Sequence, residues 1–169
     1  RVNIDPLNYS DTLNNELTGG YIIKIDKTTA GGVISWNSPY TSAAPGSSTI
    51  GYQLHDPDAI AMHPSQLQYI EKFVTDWEDS LAGPNFTDPI LGYKPFIDEA
   101  SFIDFMLVNE VSKNVDGYRI STYLYKNRVS EGGELVAGPL WDFNLAFGNA
   151  NYCQGSDTTG WEINFNSVC

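Results

Sequence analysis

Positive charge is scarce in this chain. Nine Lys and Arg stand against 21 Asp and Glu, a formal net charge of −12. A nucleic-acid backbone or an anionic membrane recruits proteins through basic patches, so neither is expected as the main partner. The acidity reads as a solubility feature and leaves room for a phosphate held through a metal and local cations. Long apolar runs are lacking as well: none approaches the ~20 residues of a membrane span, and no span is expected. Histidine is limited to His55 and His63. Two are too few for a His-based zinc site, and no Ser or Cys motif nearby suggests a triad. Both read as ordinary loop histidines. Cysteine is limited to Cys153 and Cys169, outside any C-x-x-C pattern. They either form one disulfide, worth roughly 3 kcal/mol in the chain-entropy model, or stay free thiols; the exported look of the sequence favours the bridge. With neither a starting Met nor a signal peptide, the chain reads as a mature or trimmed piece. Asn8-Tyr9-Ser10 and Asn85-Phe86-Thr87 fit the glycosylation acceptor pattern.

What is present reads as one α+β domain over residues 1–169, long enough to bury about 70% of its unfolded surface. Gly19-Gly20 releases a strand, Tyr21 to Asp26, rich in β-branched residues. Asp26 to Gly32 reads as a hairpin turn, with Val33 to Trp36 as its returning strand. Ser38 to Ser48 has loop composition. Ile50 to Leu54 is a short strand stopped at His55-Asp56-Pro57. A helix follows, with Ser65 and Gln68 as its expected capping box. Leu67, Ile70, Phe73, Val74, Trp77 and Leu81 share one face of it, a core stripe, and Gly83-Pro84 ends it. The next helix starts at an N-cap, Asp98. Phe102, Ile103, Phe105, Met106, Leu107, Val108 and Val111 cover most of its circumference, which predicts a central, buried helix. Glu110 and Lys113 form an expected i,i+3 pair on it.

The organising stretch is Asn114 to Asn149. It opens N-V-D-G-Y-R-I-S-T-Y-L-Y-K and closes G-P-L-W-D-F-N-L-A-F-G-N. Tyr118 to Lys126 alternates as a strand does, Glu131 to Gly133 signals a turn, and Leu135 to Ala137 is a second strand running into Gly138-Pro139. A hairpin here brings Asp116, before the first strand, near Asp142, after the second. Converging carboxylates suit a divalent metal and a general base. Each aspartate also has a plain alternative: Asp116 as an Asx-type turn after the helix, Asp142 as a structural anchor bonded to the backbone.

Asn114 to Asn149 resembles the core of the CotH family, the spore-coat-protein-H-like atypical kinases. R-V-N-I at the start, the G-G-Y-I-I-K strand, H-P followed by Q-x-x-Y-I-E from His63, and F-I-D-F-M-L-V-N-E from Phe102 agree in order with the same pattern. The resemblance implies a divergent protein-kinase-like fold and phosphate transfer from ATP with Mg2+ or Mn2+. The acceptor it implies is a protein on a cell or spore surface, and the location extracellular or cell-surface. Matched by position, Asp116 resembles the catalytic-loop aspartate and Asp142 the metal-binding aspartate of the kinase D-F-G. Ser121 stands where kinases place a metal-ligand Asn. Asn144 stands where many relatives carry a second acidic residue. The first exchanges an amide ligand for a more weakly ligating hydroxyl, and the second lowers the negative charge at the metal. Arg119 is expected either to point toward phosphate or to be a solvated strand residue. In relatives the ATP-pairing Lys and Glu precede the R-V-N-I segment. The chain is therefore expected to be an incomplete domain, holding the metal and catalytic part without the nucleotide part, and to bind ATP poorly alone. Two other readings stand beside this one: a non-catalytic surface or coat interaction module of the same family, and a glycoside hydrolase using Asp116 and Asp142 as paired acids.

Overall fold

The computed structural model describes residues 2–28, 33–41 and 49–163. After one helical turn, α1 (Asn14–Leu17), the chain reaches Gly19 and Gly20. A Cβ on Gly19 would sit 2.0 Å from the main-chain nitrogen of Arg128, and Gly20 turns at φ +93°. Only glycine passes this point without displacing backbone. The chain then enters β1 (Tyr21–Ile25), the middle strand of the sheet. The other strands are β2 (Trp36–Thr41), β3 (Thr49–Asp56), β4 (Thr122–Lys126) and β5 (Leu135–Ala137). Their order is β2-β3-β1-β4-β5, and every neighbouring pair is antiparallel.

Helix α2 (Pro64–Ala82) lies on one face of this sheet. Ile70 and Val74 are buried, while Leu67, Phe73 and Trp77 pack beside Tyr21, Ile23, Trp36, Tyr52, Leu124 and Leu135. Each such side chain contributes about 1.5–3 kcal/mol when fully buried. The stripe read from sequence is thus the core face, except that Leu81 stays exposed at the helix end. Helix α3 (Glu99–Ser112) follows, capped as expected by Asp98, whose Oδ1 accepts from the Ser101 amide at 3.2 Å. Asp98→Ala should cost about 1 kcal/mol, read as a lower urea midpoint with an unchanged m-value. The molecule is α+β: a five-stranded antiparallel sheet with a few helices.

Five local expectations need correction. First, β1 and β2 do not form a hairpin. β2 pairs with β3 (Trp36↔Tyr52, Asn37↔Gly51), and β1 lies between β3 and β4. A strand with Tyr21 and Ile23 almost fully buried gains more from two partners than from one adjacent turn. Part of that expected turn lies outside the described residues. Second, the loop expected from Ser38 is still strand through Thr41; residues 42–48 are outside the description. Pro39 is tolerated because β2 is an edge strand. Third, the cap of α2 is His63 with Gln66, not Ser65 with Gln68. The His63 amide donates to Gln66 Oε1 at 2.9 Å, and His63 Nδ1 accepts from the Ser65 amide at 3.3 Å. Pro64 takes the first helical position, where its missing N–H costs nothing. Neither histidine is a plain loop residue, since His55 lies in β3 with its ring edge-on to Tyr123.

Fourth, α3 is not buried. Ile103, Leu107 and Val111 are 52%, 48% and 80% exposed, and only Asn109 and Ser112 are buried. The helix leans on the short edge strand β5: Ser101 Oγ accepts from the Ala137 amide, and Phe102 meets Trp77 edge-on. An all-round apolar pattern says that a helix can be covered, not that something in this chain covers it. Fifth, residues 118–121 are turn rather than strand, with Tyr118 and Ser121 at φ 69° and 54°. The Ile120 amide closes back onto the Asp116 carbonyl at 3.1 Å, so the strand begins only at Thr122.

Candidate functional site

The end of α3 builds the first half of the site. Lys113 adopts the left-handed conformation and stops the helix. Behind it, Asn109, fully buried, donates from Nδ2 to the Phe105 carbonyl at 2.9 Å. Its Oδ1 accepts from Asn114 Nδ2 at 3.1 Å, and Asn114 Oδ1 in turn accepts from the Asp116 amide at 3.4 Å. Gly117 closes the turn, its amide donating to the Asn114 carbonyl at 2.8 Å. A Cβ there would approach Asn109 Oδ1 to 2.4 Å. Two asparagines and a glycine therefore fix the backbone that carries Asp116. The Asp116 carboxylate is 3% exposed and accepts from the Arg119 guanidinium at 3.1 Å; the Arg119 side chain is 42% exposed. Arg119 is thus paired to Asp116 on a turn, rather than being a solvated strand residue.

The hairpin builds the second half. Leu124 faces Ala137 and Lys126 faces Leu135, so β4 begins and β5 ends at the same end of the sheet. Gly132 and Gly133, both at positive φ, make the expected turn, and the Gly138 amide donates to the Tyr123 carbonyl at 2.8 Å. The Trp141 ring meets Tyr123 at 6.0 Å. Asp142 follows in the left-handed region (φ 57°, ψ 56°), heading a short 3-10 turn, Phe143–Leu145, without making a side-chain cap bond. It is exposed. An aspartate tolerates this conformation better than most residues, yet it still carries a local cost. Ser121 is buried just ahead of β4.

These two halves are packed together. Val115, next to Asp116, forms a small core with Ala150, Leu145 and Cys153. The Phe147 amide donates to the Ser112 carbonyl at 2.6 Å. The loop of Asp116 and the segment after Asp142 therefore share one apolar seam, with Asp116 buried against Arg119 and Asp142 facing solvent. Among the described residues, no group of three or more His, Cys, Asp and Glu side chains is arranged to hold a metal ion. Cys169 lies outside the described residues, so the expected pairing with Cys153 does too.

A family model described as CotH kinase protein matches residues 4–167. The chain belongs to the CotH family. No curated protein and no solved structure matches it.

The CotH-family chain also uses residues that sequence reading passed over. Asn109 and Asn114 anchor the Asp116 loop; the available signal was two amides flanking the end of an otherwise apolar helix. Glu110 does not pair with Lys113. Its Oε1 accepts from the Tyr118 hydroxyl at 2.8 Å, and Lys113 Nζ donates to the Thr159 carbonyl at 2.5 Å. Burial, then the hydrogen bond to Glu110, raises the Tyr118 hydroxyl well above the usual phenol range. Glu162 is buried beside this group. Desolvation raises its carboxyl first; the Lys113 charge opposes that and the Glu110 charge adds to it.

Proposed function

We propose that the intact protein transfers phosphate from ATP to secreted or surface proteins, with this domain supplying the catalytic aspartate and the metal ligands. The observation that carries the reading is the seam of Val115, Leu145 and Ala150, which holds the Asp116 turn against the segment led by Asp142. Asp116 would accept the proton of the acceptor hydroxyl, held in place by the hydrogen bond its backbone N–H donates to Asn114 Oδ1 and by its ion pair with Arg119. An exposed carboxylate without a cap bond, a serine hydroxyl, phosphate oxygens and water make a hard-oxygen donor set. Mg2+, or Mn2+ in its place, takes such a set with only one or two protein carboxylates. Asp142 and Ser121 are the residues that would hold it, and the bound ion would neutralise charge on the transferring phosphate. Arg119, paired to Asp116 and 42% exposed, would reach a phosphate oxygen from its exposed side. The protein would act outside the cell or at its surface.

The intact gene product, incubated with labelled ATP and Mg2+, should incorporate phosphate. Asp142→Ala should lower incorporation on the order of a thousandfold, the equivalent of several kcal/mol of lost charge stabilisation. Undiminished incorporation by that variant would remove Asp142 from the chemistry. A second reading, a non-catalytic interaction module of the same family, is favoured by one observation: the exposed apolar face of Ile103, Leu107 and Val111 on α3. It predicts no incorporation by the wild-type protein under any divalent ion.

A further inference from the structure

One carboxylate is bonded to two segments that the sequence keeps far apart. Glu110 Oε1 accepts from the Tyr118 hydroxyl at 2.8 Å and from the Ile163 amide at 2.9 Å. Its Oε2 accepts from the Glu162 amide at 2.7 Å. Tyr118 sits at a left-handed φ of 69° inside the Asp116 turn, directly before Arg119, and its ring meets Phe105 edge-on. The 159–163 segment is tied a second time to the same helix end, through Lys113 and the Thr159 carbonyl.

Two of the three donors on Glu110 come from the 162–163 backbone. If that segment lifted away, the carboxylate would lose both and could turn toward water, leaving the Tyr118 hydroxyl only its longer contact to the Met106 carbonyl at 3.2 Å. The docking is also costly in itself. It seats Glu162 at 3% exposure with Oε1 lacking a hydrogen-bond partner, a penalty of the kind that keeps a contact near the low-stability end of a fold.

We propose that Glu110 is a positioning residue for the Asp116 turn, and that it works as a latch: docking of residues 161–163 on its carboxylate orders Tyr118 and so presents Arg119 to Asp116. The catalytic half of this proposal rests on the phosphotransfer reading above; the structural coupling does not.

The test uses the intact protein with Tyr118→Phe, Glu110→Gln and the double variant, each read two ways. Phe keeps the ring against Phe105 and loses only the hydroxyl, so Tyr118→Phe should fold. Amide hydrogen exchange should then quicken at residues 117–121 and also at 161–163, although no atom of the latter was changed. The turnover number should fall between about ten- and a hundredfold, with the KM for ATP changed far less. The double variant should be little worse than Glu110→Gln alone, as expected for residues acting as one unit. Faster exchange confined to 117–121 in Tyr118→Phe, or additive losses in the double variant, would overturn the latch. Coupled exchange in a wild-type protein that transfers no phosphate would keep the latch and reject the catalytic reading.

Discussion

Lys126→Met should flatten the pH dependence of stability between pH 7 and 9.5. Lys126 is fully buried at the end of β4. Its Nζ donates to the carbonyls of Thr18 at 2.5 Å and Asn127 at 3.3 Å, and lies over the rings of Phe73 at 4.5 Å and Tyr69 at 5.4 Å. Carbonyl dipoles and ring faces hold the ammonium, yet desolvation still pushes its pKa down to about 8. In the unfolded chain the same amine titrates near 10.4. Between these values the unfolded state binds more protons than the folded one, so unfolding free energy rises with pH. The gain is fully present above the unfolded value and is lost as pH falls through the folded one. It amounts to about 2 kcal/mol between pH 7 and 9.5, with one pKa unit worth 1.36 kcal/mol. The window closes near pH 10. There Tyr21 and Tyr52, kept neutral by burial in the fold, ionise in the unfolded chain and stability turns down. Methionine fills a similar volume without a charge. Its stability at pH 7 is a balance between relief of the buried charge and two carbonyls left unpaired, so the slope is the quantity to measure. Urea titrations at successive pH values that give both proteins the same slope would show that Lys126 does not titrate in this window.

The core of the fold is written in short-range patterns, which is why so much of it is legible. The apolar stripe of α2, the β1 run after Gly19-Gly20, the Asp98 cap and the E-G-G turn are all decided by residues a few positions apart. Partner choice is not. β1 takes β3 and β4, not the strand that follows it, and this pairing satisfies backbone groups on both edges of a strand whose Tyr21 and Ile23 are buried. The exposure of α3 was equally illegible, since periodicity records how apolar a surface is and not what lies against it. At the site, the two aspartates stood out by their aromatic neighbours, and their loops do meet through Val115 and Leu145. The residues that shape the turn were hidden. Tyr118 and Ser121 alternate like strand residues, but a left-handed backbone at both positions bends them out of any strand. The role of Glu110 depends on Glu162 and Ile163, which no local pattern connects to it.

Asn109→Ala should be among the most damaging single changes near the site, although Asn109 touches no candidate substrate. The amide is 0% exposed and bridges the last turn of α3 to the Asp116 loop. Its removal leaves Asn114 Nδ2 buried without that acceptor, beside a Gly117 whose tight turn was shaped around Asn109 Oδ1. Each stranded buried polar group costs about 1–3 kcal/mol, and the small cavity adds to it. A total of roughly 2–4 kcal/mol is expected in chemical denaturation. Val111→Ala is the control on the same helix: at 80% exposure it should stay within about 0.5 kcal/mol of the parent. The second consequence is functional. With Asn114 released, the Asp116 amide loses its bond to Asn114 Oδ1. Phosphate transfer by the fraction that remains folded should then drop about a hundredfold, as misplacement by an ångström does elsewhere. A variant that loses stability but keeps full turnover per folded molecule would make Asn109 a helix-end brace and nothing more. Equal stability in the two variants would show that the Asn109–Asn114 bridge does not hold the turn.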